Sequence, residues 1–514
     1  MFIGRMKMYF ISSVLSALCV GIICVIISAL YNQYIIRKKL KRFPQVPRCP
    51  FIGSRLEVFT ISEHERMGRI LSRVNEYKEG IFVEWHGLVP SINVFKPEFL
   101  EIIFLNTINI QKGTSYESLK PWVKNGLFVS SGPKWFHDRK LIGPTFHFSI
   151  LERFIDIFSE KSKILTKMLE RELEKNPEKP INVFPFSVNV SLDVICEAAM
   201  GVNIHAQESD SKYALLSKKV LEMAIQRFLR PWYTSDLLYF LTPTGKENKA
   251  VLNGLHEFSE SVIRKRKIER SKTDYANLNN TDNDNTIKRK KVFLDVLLDQ
   301  NEKDDTPLTD DEVRSQVDTF MFAGHDTTAV TITWTLFCLS NSSEHQEKVH
   351  EELDKVFKDP DAPITMKELS QLKYLDRVIK ESLRLYPSVP IISRKLVEDL
   401  QLGDYVVPKD TIVDIPIVLV HRNPEIWPDP LKFDPDRFLP ENSKNRSQYA
   451  YIPFSAGLRN CIGQKFALLE LKVVLSSILR KWRVKSVKTH ITYKWCITYH
   501  PDEEVLIHFT PKTN

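Results

Sequence analysis

Phe454-Ser455-Ala456-Gly457-Leu458-Arg459-Asn460-Cys461-Ile462-Gly463 is the stretch whose reading decides the fold. It sets one cysteine, Cys461, in a glycine-flanked loop, with Arg459 two residues before it and a long apolar-faced helix directly after. The thiolate is the nucleophilic and metal-binding form of cysteine, and it needs local help to stay ionised. Gly457 and Gly463 lack a Cβ and let backbone N–H groups approach the sulfur. The positive end of the following helix points back at the same atom. Phe454 supplies an apolar wall, and Arg459 a fixed charge for a nearby carboxylate. One soft ligand with no cysteine or histidine at cage spacing does not suit zinc. It suits a metal whose other positions come from a cofactor, as haem iron does. The bland alternative, a buried cysteine in a turn, is the usual state of a lone Cys.

Phe454, Gly457, Arg459, Cys461 and Gly463 together resemble the haem-binding signature of the cytochromes P450, a class in which thiolate ligation of haem is established chemistry. The resemblance implies a mainly α fold with a small β region, preceded by one transmembrane helix. It also implies haem b (iron protoporphyrin IX) with an axial thiolate from Cys461.

Bulk properties narrow the alternatives. A length of 514 residues would allow about three domains, although large single enzymes exceed that prior. The net charge of +8 is modest for this size and forms no basic stripe with interleaved aromatics, so no nucleic-acid partner is expected. Seven cysteines without a C-x-x-C pair fit a reduced compartment better than a disulfide framework.

Met8 to Tyr31 is a run of 24 residues without a charge, long enough to cross a bilayer as a helix. A cleaved signal peptide would have a shorter apolar region and a small-residue cleavage site. The heavier basic cluster, Arg37-Lys38-Lys39-Leu40-Lys41-Arg42, comes after the run and predicts that the body faces the cytosol. Residues 1–36 therefore read as a single-pass anchor, and the resemblance makes the endoplasmic reticulum its membrane. Pro44, Pro47 and Pro50 resist helix, so residues 37–53 read as a stiff hinge. Residues 54–514 form the catalytic body.

Helical periodicity dominates the body, as in Phe154–Glu174 and Glu344–Phe357. Strands are expected at Ile81–Trp85, Ile92–Phe95, Tyr405–Val407 and Thr411–Ile415. The Asn- and Asp-rich stretch 271–287, between Arg264-Lys265-Arg266-Lys267 and Lys288-Arg289-Lys290-Lys291, reads as a disordered loop.

Thr309 and Glu312 form a capping box that starts a helix expected to end near Leu339. Its middle, Ala323-Gly324-His325-Asp326-Thr327, is a polar knot in an apolar run. Gly324 removes a side chain where something flat could approach. The Thr327 hydroxyl can bond a carbonyl one turn back. Side chains at 326 and 327 diverge by about 100°, so they would cooperate through water. A kinked structural helix with a satisfied Thr is the bland reading. The five residues resemble the distal-helix motif of cytochromes P450, which makes Asp326 the acid and Thr327 the alcohol that bring protons to dioxygen. The stretch is most similar to the fatty-acid-oxidising branch, including its insect members. There a glutamate at the position of Ala323 often forms an ester to haem; alanine has no carboxylate, so no covalent link is expected here.

Glu381 and Arg384 share a helix face, and Arg437 lies in a proline-bent loop. Alone, such a pair is a commonplace of surfaces. By the resemblance, Glu381, Arg384 and Arg437 form a buried triad that locks the Cys461 loop, while Trp135, Arg139, Arg394 and Arg459 reach the haem propionates. The implied activity is insertion of one oxygen atom from O2 into an apolar substrate: a fatty acid, hormone or foreign compound. No Gly-x-Gly-x-x-Gly strand–turn–helix is evident, so electrons come from a partner. The resemblance makes that partner NADPH–cytochrome P450 reductase, with cytochrome b5 as a second donor, docking on a basic surface near Lys465 and Lys472. A haem-thiolate isomerase or dehydratase, or a non-catalytic membrane haem sensor, is the rival; the Asp326–Thr327 pair speaks against both.

Overall fold

The computed structural model describes residues 2–512 other than 50–51, 55–60, 62, 147, 210, 231–232, 234, 280–290, 304–306, 360–361 and 495–496. It opens with a helix, Phe2–Lys39. The apolar Cys19–Lys39 portion is almost wholly unburied and, at about 1.5 Å per residue, matches a hydrocarbon core of about 30 Å.

The helix stops ahead of the prolines, and the start of the proline segment pairs with the sheet. Leu40, Phe43 and Val46 are buried in the core. The Val46 N–H donates to the Val83 carbonyl (2.9 Å), and the Val83 N–H donates to the Pro44 carbonyl (2.8 Å). A proline that lacks an N–H and holds an extended φ is tolerated at a sheet edge, where one side of the ladder needs no donor. Residues 40–46 are thus packed against the body. Gln33, still inside the helix, donates to the Leu88 carbonyl (3.0 Å) and ties the helix end to a hairpin.

Among the described residues the strands are β1 (Ile81–His86), β2 (Val89–Val94), β3 (Gln111–Lys112), β4 (Ile181–Asn182), β5 (Ile391–Lys395), β6 (Leu400–Leu402), β7 (Tyr405–Val407), β8 (Ile412–Pro416), β9 (Trp482–Ser486) and β10 (Leu506–Pro511). They make a five-stranded sheet in the order β1-β2-β8-β5-β3, a three-stranded sheet β4-β10-β9 and the hairpin β6-β7. Of these strands β2 and β8 pair in parallel, and Gln45 forms a further parallel bridge with Val83. The four expected strands coincide with β1, β2, β7 and β8, with ends shifted by a few residues at most. Most of the others are too short to show a period, or begin beside prolines.

Helices carry the rest. Phe148–Lys175 and Ser343–Val356 cover the two periodic stretches. The helix Pro243–Asn279 runs well into the stretch read as a loop, because Arg264 to Lys272 continues a helical pattern; the remainder, 280–290, lies outside the described residues. The central element is Asp310–Ser340, capped by Thr309 and Glu312 as expected. The Glu312 N–H donates to Thr309 Oγ1 (3.2 Å), and the Thr309 N–H donates to Glu312 Oε2 (3.0 Å). From Val313 onward almost every face of this helix is buried, which marks a core helix. It packs most extensively against the helix Val183–Ala198.

Candidate haem-thiolate site

The Cys461 loop is held by its own backbone. The Cys461 N–H donates to Phe454 O (2.9 Å), the Asn460 N–H to Gly457 O (3.1 Å) and the Ser455 N–H to Ile452 O (3.0 Å). Gly457 has φ +66°, and a Cβ there would stand 2.1 Å from the Phe104 carbonyl oxygen. Its role is therefore to let the loop press on Phe104, not to open a path to the sulfur. Gly463 is different: its N–H is directed at the Cys461 sulfur, and a Cβ would meet open space. The helix Gln464–Leu479 starts immediately afterwards.

Cys461 lines an internal cavity, and its side chain is exposed to that space. Burial pushes its thiol above the ordinary range, against the pull of the Gly463 N–H and of Arg139. The loop and helix dipole alone do not ionise it. A bound metal cation deprotonates a coordinating thiol outright.

Ala323, Gly324 and Thr327 of the central helix line the same cavity as Cys461. Thr327 Oγ1 donates to the Ala323 carbonyl (2.7 Å), the expected bond one turn back. Gly324 makes room for the neighbouring helix: a Cβ there would lie 2.6 Å from Ile195 side-chain atoms. Gly324 and Ile195 both line the cavity at this crossing. Asp326 does not line the cavity. Its carboxylate turns away, accepting a hydrogen bond from Thr498 Oγ1 (2.6 Å) and pairing with His500 Nε2 (2.8 Å). Asp326 and Thr327 thus occupy separate faces, as their angular spacing requires.

The cationic side of the cavity is formed by Arg139, Arg394, Arg459 and Lys112. Arg139 donates to the Asn460 carbonyl (3.0 Å) and to Asn460 Oδ1 (2.6 Å), beside the cysteine. Arg394 donates to the Ser393 carbonyl (3.1 Å). The Arg459 guanidinium lies over the Trp135 ring (4.6 Å), yet its Nη1 and Nη2 are buried and have no hydrogen-bond partner among the described residues. Burial, Arg394 and Arg139 lower its pKa to about 9. Sequence reasoning missed Lys112, which sits opposite Arg394 in the β3–β5 register with Nζ over Tyr116 (4.3 Å). Burial, then Arg394 and Arg459, hold its ammonium well below the usual lysine range. A lone lysine carries no signal in sequence; only the sheet pairing brings it here.

None of the residues lining the cavity is acidic. Four clustered cations, two guanidinium nitrogens without acceptors and a thiol on one wall call for a group that is dianionic at one edge and carries a metal at its centre. Haem, with two propionates and iron, fits that donor set.

Behind the loop, Arg384 meets Glu381 through two bonds of 2.7 Å, both residues fully buried. Arg437 Nε lies 3.4 Å from Glu381 Oε1, and the Asp434 N–H donates to the same oxygen (2.9 Å). Arg384 also donates to the His421, Pro430 and Lys432 carbonyls. The three residues therefore meet and bind the chain that leads into the Cys461 loop. On the outer surface Lys472 is taken by Asp376 (3.0 Å) and is mostly covered, so it presents little charge to a partner.

The family model for Cytochrome P450 matches residues 44–502. The chain is 42% identical to Cytochrome P450 4c21 of Blattella germanica, over 88% of this chain and 89% of that one. It is 39% identical to Cytochrome P450 4c3 of Drosophila melanogaster (92% and 90% covered) and 41% identical to Cytochrome P450 4V2 of Mus musculus (87% and 85%). A cavity built for a thiolate-ligated dianionic cofactor, in a chain so related along its length, places the protein plainly: it belongs to the cytochrome P450 family of haem monooxygenases.

Proposed function

We propose that the chain is a membrane-anchored oxygenase of long apolar molecules, fatty acids first and hydrophobic hormones or foreign compounds next. Cys461 would supply the thiolate to the iron of haem b, and Arg394, Arg459 and Arg139, beside Trp135 and together with Lys112, would hold its propionates. When bound, the haem supplies dioxygen reduction and C–H oxidation with electrons from a redox partner. Phe128, Phe320, Ile195 and Val389 wall the cavity with apolar surface and exclude water around the substrate. Thr327 offers its hydroxyl to that space, and Asp326, one residue earlier, holds the carboxylate from which the proton supply is drawn. Phe454 and Gly463 flank the sulfur side. Glu381, Arg384 and Arg437 keep the ligand loop in place. Ala323 carries only a methyl group toward the cavity, so the cofactor is held without an ester.

Electrons come from NADPH–cytochrome P450 reductase, with cytochrome b5 as a second donor. Residues 1–36 anchor the chain in the endoplasmic reticulum, and the basic residues from Arg37 to Arg42 keep the body on the cytosolic face. The single observation carrying this reading is that Cys461, Thr327 and the unpartnered Arg459 open on one cavity whose lining contains no acid.

The test is turnover of the full chain in lipid vesicles with reductase, NADPH and labelled dioxygen, supplied with fatty acids and foreign apolar compounds in turn. One labelled atom per product molecule is expected, with none formed when reductase is omitted. Product in the absence of reductase and NADPH would instead establish an isomerase or dehydratase.

A further inference from the structure

Asp326 is deep inside the protein, 3% exposed, and both its hydrogen-bond partners come from a segment more than 170 positions later in the chain. That segment is itself pinned to the central helix. Trp334 Nε1 donates to the Tyr499 carbonyl (2.7 Å), the Tyr499 N–H donates to the Ser388 carbonyl (2.9 Å), and the Phe184 ring stands edge-on to His500 (5.3 Å). Thr498 and His500 are 1% and 3% exposed. A carboxylate at such depth would ordinarily be neutral. Burial does push Asp326 up, but His500, then His325 and Thr498, outweigh it and hold the carboxyl below its usual range. His325 is already occupied, by the Met321 carbonyl (2.6 Å) and Ser217 Oγ (3.3 Å). Tyr213, from the helix Lys212–Leu229, is a further titratable group near the carboxylate, and burial raises its phenol. Among the described residues, His500 alone makes an ion-pair contact with Asp326.

We propose that His500 is the positioning residue that fixes where Asp326 points and when it is charged, with Thr498 as the second donor. The inference rests on the reading of Asp326 as the acid that serves Thr327. Asp326 then takes up its proton on the side of the carboxy-terminal segment, and the proton passes by way of water to the helix face that bears Thr327. Replacing the histidine by a permanent cation would preserve the position and the charge of the carboxylate. Replacing it by a neutral donor would preserve only the position.

The test uses His500→Gln, His500→Arg and Asp326→Asn in the full-length haem-loaded chain. Denaturant unfolding, followed by ellipticity at a series of pH values from neutral downward, reads how far the charge of Asp326 contributes to stability when parent and variant are compared. In H500Q the denaturant midpoint should fall most at neutral pH, because burial then opposes the charged carboxylate, and the deficit should shrink toward acid pH as the carboxyl protonates; in H500R it should return toward the parent. Product formed per NADPH consumed, measured against pH, should shift upward in H500Q and return in H500R. A loss of stability in H500Q that is the same at every pH, with no rescue by H500R, overturns the inference and leaves His500 a packing residue. Unchanged product per NADPH in D326N overturns the underlying reading of Asp326 as the acid, whatever the unfolding curves show.

Discussion

At position 324 one methyl group is too many. The helix Val183–Ala198 crosses the central helix so closely that Ile195 fills the space a side chain would need. Gly324→Ala should cost about 1–3 kcal/mol, the usual range for overpacking. Ile195→Ala in the same chain should recover part of that cost, seen as a favourable coupling in a double-mutant cycle of denaturant unfolding; simple additivity would contradict the close packing. Asp318 gives a second residue-level test. Burial pushes its carboxyl up to about 7 despite the Ser259 hydroxyl, and His256 stands 3.8 Å away. Its folded pKa exceeds the unfolded value of about 3.9, so the stability it contributes is full below about pH 4 and is lost as pH rises toward about 7. Asp318→Asn should flatten that part of the stability–pH curve, gaining on the order of a few kcal/mol over the parent near pH 8 and nothing near pH 4.

At the scale of elements, the amino-terminal helix and the sheet are one unit. A chain starting at Lys38 keeps Leu40, Phe43 and Val46 in the core and should melt close to the full-length protein. A chain starting at Arg48 loses three buried side chains worth about 1.5–3 kcal/mol each, together with the backbone pairing to Val83. Its melting temperature should fall by several degrees or more in calorimetry, and equal melting of the two would contradict the integrated edge. The Glu381–Arg384–Arg437 group tests a different junction. Glu381→Gln leaves two buried guanidinium groups without their carboxylate, a loss of about 3–5 kcal/mol. Haem content after purification should fall with it. The long helices and their cap at Thr309 were legible because a 3.6-residue period and a capping box are local signals. The edge role of Pro44–Val46 was not, because a proline-rich run looks the same whether it is free or paired with a distant strand.

Over the whole molecule, the ligand loop, the polar knot of the central helix and the triad could be read in sequence, since each is a compact motif. What sequence could not show is which way each side chain turns once the helices pack. Asp326 and Thr327 are adjacent in the chain but face different neighbours, and the partners of Asp326 come from the carboxy-terminal segment. Lys112 joins the arginines only through the β3–β5 pairing. Thr327, Lys112 and the arginines matter because they line the cavity onto which one sulfur opens. The most direct measurement is the reduced carbon-monoxide difference spectrum of the purified full-length chain beside its Cys461→Ser variant. The parent should show the red-shifted Soret band of thiolate-ligated iron, and the variant should lose it even where haem remains bound. The same band in the variant, or its absence from a haem-loaded parent, would contradict thiolate ligation by Cys461.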